Sequence, residues 1–169
     1  MIAATMATDP SAWTEFAAAM VAASSALAGL IFVALSINLE RILHLPGISD
    51  VALEGVIALT VVLIASIAVL TPGVPAGALS AGLVLIGVVE LVVIGWLLRR
   101  TLLVAEPEFR RKRMQMALVS GSPGVLFAIS GVTLAAGSAW GLYWLVPASI
   151  AGIVSGVVNA WVLLVEIKR

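Results

Sequence analysis

The chain has 169 residues, of which 62% are hydrophobic and only 11% are charged, and its mean hydropathy is +1.20. Soluble domains carry about 25% charged residues, so the composition excludes a disordered chain, a nucleic-acid binder with a basic face and nearly every soluble enzyme. The nine basic and nine acidic residues cancel, there is one histidine, and cysteine is absent. Disulfides, thiolate chemistry and cysteine-based metal sites are therefore excluded. What remains is a polytopic membrane protein.

Five stretches of the chain are long and apolar enough to cross a bilayer. A spanning helix needs about 20 mostly apolar residues, and the connections between these stretches are short, so neighbouring helices should be antiparallel. The sequence therefore predicts an all-α, integral membrane bundle of five transmembrane helices that forms a single domain over residues 1–169. The predicted spans cover residues 16–37, 51–70, 76–98, 116–137 and 143–165.

Basic residues predict the orientation of the bundle. In a five-span arrangement every lysine and arginine falls on one side of the membrane, and loops on the cytoplasmic side are enriched in these residues. We therefore expect the N-terminus outside, the C-terminus in the cytoplasm, and a multi-pass protein of the cell (inner) membrane. The basic residues are Arg41 in the first connection, Arg99, Arg100, Arg110, Arg111, Lys112 and Arg113 around the third connection, and Lys168 and Arg169 in the tail.

The first span is rich in alanine, serine and glycine and is expected to continue beyond the inner interface to His44, where Pro46-Gly47 stops it. Its segment Ala28–Ile42, AGLIFVALSINLERI, resembles the end of the first helix in small uncharacterised bacterial membrane proteins. The resemblance covers about one helix, and it implies no activity, cofactor or site residue. The abundance of alanine, glycine and valine also suits a bacterial protein.

Turn-forming residues mark the remaining helix ends. Ser49 or Asp50 is expected to cap the second helix, and the third is expected to run past Arg100 until Pro107 ends it. The fourth span contains the sequence Ser-Gly-Ser-Pro-Gly at residues 120–124. Two glycines and a proline within five residues predict a kink or an interruption there.

The second-to-third and fourth-to-fifth hairpins have the features of a parallel internal repeat. With a constant offset, Gly55-Val56 aligns with Gly124-Val125, Gly87-Val88-Val89-Glu90 with Gly156-Val157-Val158-Asn159, and Arg99-Arg100 with Lys168-Arg169. Both hairpins start on the inner side, so the symmetry axis would lie along the membrane normal, as in some transporters. The alternative is that two antiparallel hairpins of equal length simply look alike.

Glu90 is the residue most informative about function. It precedes Arg99 by about 13 Å of helix, which places the acid inside the hydrocarbon layer, where a charged side chain costs at least about 2.5 kcal/mol. One interpretation is that such an acid belongs to an ion- or proton-linked site. The other is that it stays protonated and forms a hydrogen bond with a neighbouring helix. Asn159, Ser122 and the helix break at Pro123 fall at the same depth. Together with Glu90 they form a candidate polar site for an ion, a proton or a ligand.

Other charged residues are expected near the inner interface. The run Arg110-Arg111-Lys112-Arg113 is a candidate contact for anionic lipid, and its alternative role is to set the topology. Glu54 and Glu166 are expected to be solvated or paired with nearby basic residues, and His44 is expected to pair with Glu40 one turn earlier.

Two functions are compatible with these features. The first is a homo-oligomeric channel or transporter that uses the site around Glu90. The second is a non-catalytic accessory or scaffold subunit of a larger membrane complex, in which Glu90 only holds helices together. An enzyme is disfavoured because no nucleophile–base pair, HExxH, GxSxG or phosphate loop is present in the sequence. We expect no cofactor, no metal and no nucleic-acid partner.

Overall fold

The computed structural model describes residues 9–44, 48–103, 107–138 and 140–167, and they are all-helical. Five helices are long and apolar enough to span a membrane, as predicted. They are α1, α3, α4, α5 and α6, while α2 is a short continuation of α1. The helices are α1 (Thr14–Ile37), α2 (Leu39–His44), α3 (Ile48–Leu70), α4 (Ala76–Leu102), α5 (Pro107–Ala135) and α6 (Leu145–Ile167), with 3₁₀ turns at Pro10–Trp13 and Leu142–Trp144.

The first helix breaks at Asn38, which the sequence did not predict. The Asn38 side-chain amide donates to the Ala34 carbonyl at 2.9 Å, and its backbone N–H shifts to the Leu35 carbonyl at 3.2 Å. Asparagine side chains compete with the backbone for such bonds, so α1 ends here and α2 starts at Leu39. The predicted stop at Pro46-Gly47 lies outside the described residues.

The predicted interruption of the fourth span is not observed, since α5 continues through Pro123. Proline has no N–H to donate to the carbonyl four residues earlier. That carbonyl, on Val119, accepts instead from the Ser122 hydroxyl at 2.8 Å, and serine side chains commonly satisfy freed backbone groups in membrane helices. Pro107 also differs from the expectation, because it begins α5 and does not end α4, which stops at Leu102.

Contacts at the two ends show that the helices alternate in direction. At one end the rings of Trp13 and Tyr143 pack edge to face with centroids 5.0 Å apart, which joins the starts of α1 and α6. At the other end the Thr101 hydroxyl donates to the Asp50 carboxylate at 3.0 Å, which joins the end of α4 to the first turn of α3. We call the second end, where α3 and α5 begin and α4 ends, the basic end.

Glycines bring four of the helices together in two close pairs. A Cβ on Gly87 of α4 would lie 2.4 Å from the Gly124 carbonyl oxygen of α5, so these two backbones touch. In the second pair, a Cβ on Gly156 of α6 would lie 2.7 Å from Leu59 of α3. Small residues allow this approach in membrane helices. Helix α1 packs mainly on α3 at the edge of this four-helix core.

Candidate functional site

A buried ion pair joins α3 and α5 near the basic end. The Arg113 guanidinium donates through both terminal nitrogens to the Glu54 carboxylate, with Nη1 3.1 Å from Oε2 and Nη2 bonded to Oε1. The side chains are 1% and 0% exposed. Each residue lies less than two turns into its helix, and both helices start at the basic end, so the two charges meet at equal depth. Such a bidentate ion pair is stronger and more directional than a single hydrogen bond.

Two further polar side chains extend the ion pair to α6. The Ser120 hydroxyl of α5 donates to Glu54 Oε2 at 3.0 Å, and the Asn159 amide of α6 donates to the Ser120 oxygen at 3.2 Å. Ser120 and Asn159 are buried. We call Glu54, Arg113, Ser120 and Asn159 the polar network. It satisfies the Glu54 carboxylate with three donated hydrogen bonds and ties three helices together.

A cleft between α5 and α6 reaches the polar network from the surface. It has a volume of about 280 Å³ and is lined by Gln115, Met116, Val119, Val158 and Asn159. Gln115 and Met116 lie within one turn of Arg113, so the cleft is at the basic end. Its volume is several times the roughly 30 Å³ share of one water in the liquid, so the cleft is large enough to hold several water molecules beside Asn159.

Glu90 of α4 is buried apart from this network. The residue is 1% exposed, and neither carboxyl oxygen has a hydrogen-bond partner among the described residues. Its Oε2 lies 3.1 Å from the position that a Cβ on Gly124 would occupy. The missing side chain at Gly124 therefore leaves the space in which the carboxyl group sits. A buried acid with no partner is costly in a membrane helix, and here the packing of α4 on α5 encloses it.

The structure brings together only part of the candidate polar site predicted from depth. Asn159 donates to Ser120 and not to Glu90. The Ser122 hydroxyl donates within its own helix, to the Val119 carbonyl. Pro123 is buried and lies near α6, with its Cβ 3.8 Å from the position of a Cβ on Gly152. Glu90 and the polar network thus contact α5 one turn apart, at Gly124 and Ser120, as two separate groups.

Sequence reasoning missed the pairing of Glu54 with Arg113 and the part played by Ser120. Glu54 was expected to be solvated or paired near the interface, and it is paired but fully buried. The signal was present in the sequence, because opposite charges lie at the same depth in two helices that start on the same side. The side chains of Glu166 and His44, also expected near this interface, lie outside the described residues.

The four residues of the candidate lipid contact do not share one environment. Arg110 and Arg111 are exposed. Arg113 is buried in the ion pair with Glu54, so its guanidinium is not at the surface. The side chain of Lys112 lies outside the described residues.

Within the described part of the chain no three histidine, aspartate or glutamate side chains are grouped to hold a metal ion. Comparison of the chain with protein-family models, with curated proteins and with solved structures found no match. The resemblance of the first span to small bacterial membrane proteins therefore stays a prediction, and the function must be argued from the residues alone.

Proposed function

We propose that this chain is a small ion-coupled transporter or channel of the bacterial inner membrane, and that Glu90 binds and releases the transported or coupling proton or cation. The observation that carries the proposal is the buried Glu90 carboxyl group, which has no hydrogen-bond partner among the described residues. Ionisable groups at membrane depth are rare, and they commonly mark ion pathways and proton relays. An acid used only to hold helices together would be expected to have a bonded partner.

The polar network supports an approach to Glu90 from the basic end. The cleft between α5 and α6 ends at Asn159, and hydrogen bonds continue from there through Ser120 to Glu54. Ser120 precedes Gly124, which borders Glu90, by one turn of α5, or about 6 Å of helix rise. Polar groups therefore extend from the surface to within one turn of the carboxyl group.

The glycine contacts support the parallel repeat, which is part of the proposal. On α4 and α5, Gly87 and Glu90 lie against Gly124, while on α6 and α3 the aligned residues Gly156 and Asn159 lie against Gly55. A Cβ on Gly55 would be 3.1 Å from the Asn159 Cβ and 3.6 Å from the Gly156 carbonyl oxygen. The residues that align in sequence thus make corresponding contacts. Transporters built from repeats place their substrate and ion sites at the repeat interface, which is where Glu90 and Asn159 lie.

Charge and size support a proposal for the orientation and the assembly. We propose that the basic end faces the cytoplasm, because the exposed arginines at residues 99, 100, 110 and 111 lie there. We propose a homo-oligomer, because five helices leave large apolar surfaces outside the four-helix core. Native mass spectrometry in mild detergent tests this point, with a small multiple of 17.4 kDa expected.

The alternative, an accessory subunit of a larger complex, is favoured by a separate observation. An apolar groove of about 300 Å³ opens between α1 and α6, lined by residues that include Leu30, Ile31, Leu35 and Trp161. A helix of another membrane protein could pack there. This alternative predicts a native mass that requires a second protein.

The experiment that tests the proposed function is ion flux in liposomes that contain the purified protein. The parent protein should conduct or exchange protons or monovalent cations, and Glu90→Gln should abolish this flux while the protein remains folded by circular dichroism. Glu15→Gln is the matched control, because Glu15 is an exposed acid in the first turn of α1, and it should leave the flux unchanged. No flux in the parent, or equal flux in Glu90→Gln, would overturn the proposal.

A further inference from the structure

A long apolar groove runs between α4 and α5 on the outside of the bundle. It has a volume of about 530 Å³, and its lining includes Leu91, Gly95 and Leu98 of α4 and Met114, Leu118 and Val125 of α5. The groove is open at Gly95, because a Cβ built there would meet nothing within 4 Å. The groove is separate from the cleft at Asn159, which lies between α5 and α6.

Three exposed arginines flank the groove at the basic end. Arg110 lies one turn before Met114, and Arg111 lies two turns before Leu118, so both are on the groove face of α5. On α4, Arg99 lies one turn after Gly95. Positive charge is therefore concentrated where the apolar groove meets the membrane surface.

The length of the groove matches one leaflet of a bilayer. From Met114 to Val125 the rise along α5 is about 16 Å, and half of the hydrocarbon core is about 15 Å. We propose that this groove binds an anionic phospholipid of the leaflet at the basic end, with an acyl chain along the groove and the headgroup on Arg99, Arg110 and Arg111. A symmetric contact with a second copy would bring these arginines against each other, so it is the less favourable occupant.

Native mass spectrometry of the purified protein with added lipid tests the headgroup. Phosphatidylglycerol should remain bound more strongly than phosphatidylcholine. Each arginine near an anionic surface contributes about a fivefold change in affinity, so the double variant Arg110→Gln/Arg111→Gln should bind phosphatidylglycerol about 25-fold more weakly. The matched control is Arg100→Gln, because Arg100 lies on the opposite side of α4, with its guanidinium 5.7 Å from the centre of the Trp96 ring. It should leave the preference intact.

A second pair of variants tests the acyl chain. Gly95→Leu would put a side chain into the open groove, where its Cβ would meet nothing within 4 Å, and should remove the bound lipid. Gly82→Leu is its control, because Gly82 lies on the opposite side of α4, and its Cβ would also meet nothing within 4 Å. Equal retention of the two lipids, an equal loss in Arg100→Gln, or unchanged retention in Gly95→Leu would overturn the proposal. A dimer that Gly95→Leu dissociates while lipid retention stays unchanged would assign the groove to a second copy and also overturn it.

Discussion

The Glu54–Arg113 ion pair offers the sharpest test of the tertiary structure. Arg113→Met removes the guanidinium and leaves the fully buried Glu54 with only the Ser120 hydroxyl as a donor. Breaking a buried pair on one side costs about 3–5 kcal/mol, because an uncompensated charge remains. Glu54→Gln should cost a similar amount, since it leaves the Arg113 charge buried. The double variant Glu54→Gln/Arg113→Met removes both charges and keeps an acceptor for Ser120, so it should lie within about 2 kcal/mol of the parent.

Thermal unfolding in mild detergent, followed by the fluorescence of the five tryptophans, measures this difference. For a chain of this size about 1 kcal/mol shifts the Tm by 2–4 °C, so each single variant should lower the Tm by about 10 °C. The control is Arg100→Met, which removes an exposed arginine packed on Trp96 and should cost no more than about 1 kcal/mol.

The double-mutant cycle decides whether the two charges interact as described. The expected coupling is about 4 kcal/mol or more, because two losses of at least about 3 kcal/mol would combine to no more than about 2 kcal/mol. A double variant that loses as much stability as the sum of the two single variants would refute the pairing. Single variants within about 1 kcal/mol of the parent would refute the burial of the charges.

Two further predictions concern packing and the continuity of α5. Gly87→Ala should destabilise the protein by at least about 2 kcal/mol, because its Cβ would lie 2.4 Å from a backbone oxygen of α5. Gly95→Ala is the control and should be neutral or slightly stabilising, because its Cβ would meet nothing within 4 Å. Equal Tm values for the two variants would contradict the close contact of Gly87 with α5. Ser122→Ala should lower the free energy of unfolding by about 1 kcal/mol, because the Val119 carbonyl would lose its donor, and the same thermal assay would show no shift if that carbonyl were satisfied in another way.

The helix breaks show where local reasoning succeeded and where it failed. A proline and two glycines predicted a kink or an interruption at residues 120–124. The interruption does not occur, because Ser122 supplies the donor that the helix lacks at Pro123, and α5 continues. The break occurs instead at Asn38, whose side chain takes a backbone acceptor from its own helix. Both outcomes depend on single hydrogen bonds, which composition rules for helix breakers do not include.

The candidate site shows the same limit at the level of the bundle. The depth of Glu90 and Asn159 could be read from their distance to the basic residues, since each residue adds about 1.5 Å along a helix. Their partners could not, because the rotation of each helix was unknown. Successive residues of a helix point in directions about 100° apart, so depth does not say which helix a side chain faces. The rotation of the helices decides that Asn159 faces Ser120 and that Glu90 faces Gly124.

The sequence by itself determined the five spans and the concentration of basic residues at one end, because hydropathy and charge are properties of each segment alone. Only the tertiary structure decided which polar groups meet. In a membrane helix the lipid-facing and protein-facing sides are both apolar, so the pattern of the sequence does not mark the face that packs. The close approach of Gly87 to Gly124 and of Gly156 to Leu59 sets the rotation of the four core helices. That rotation joins Glu54 to Arg113 and leaves Glu90 buried beside α5.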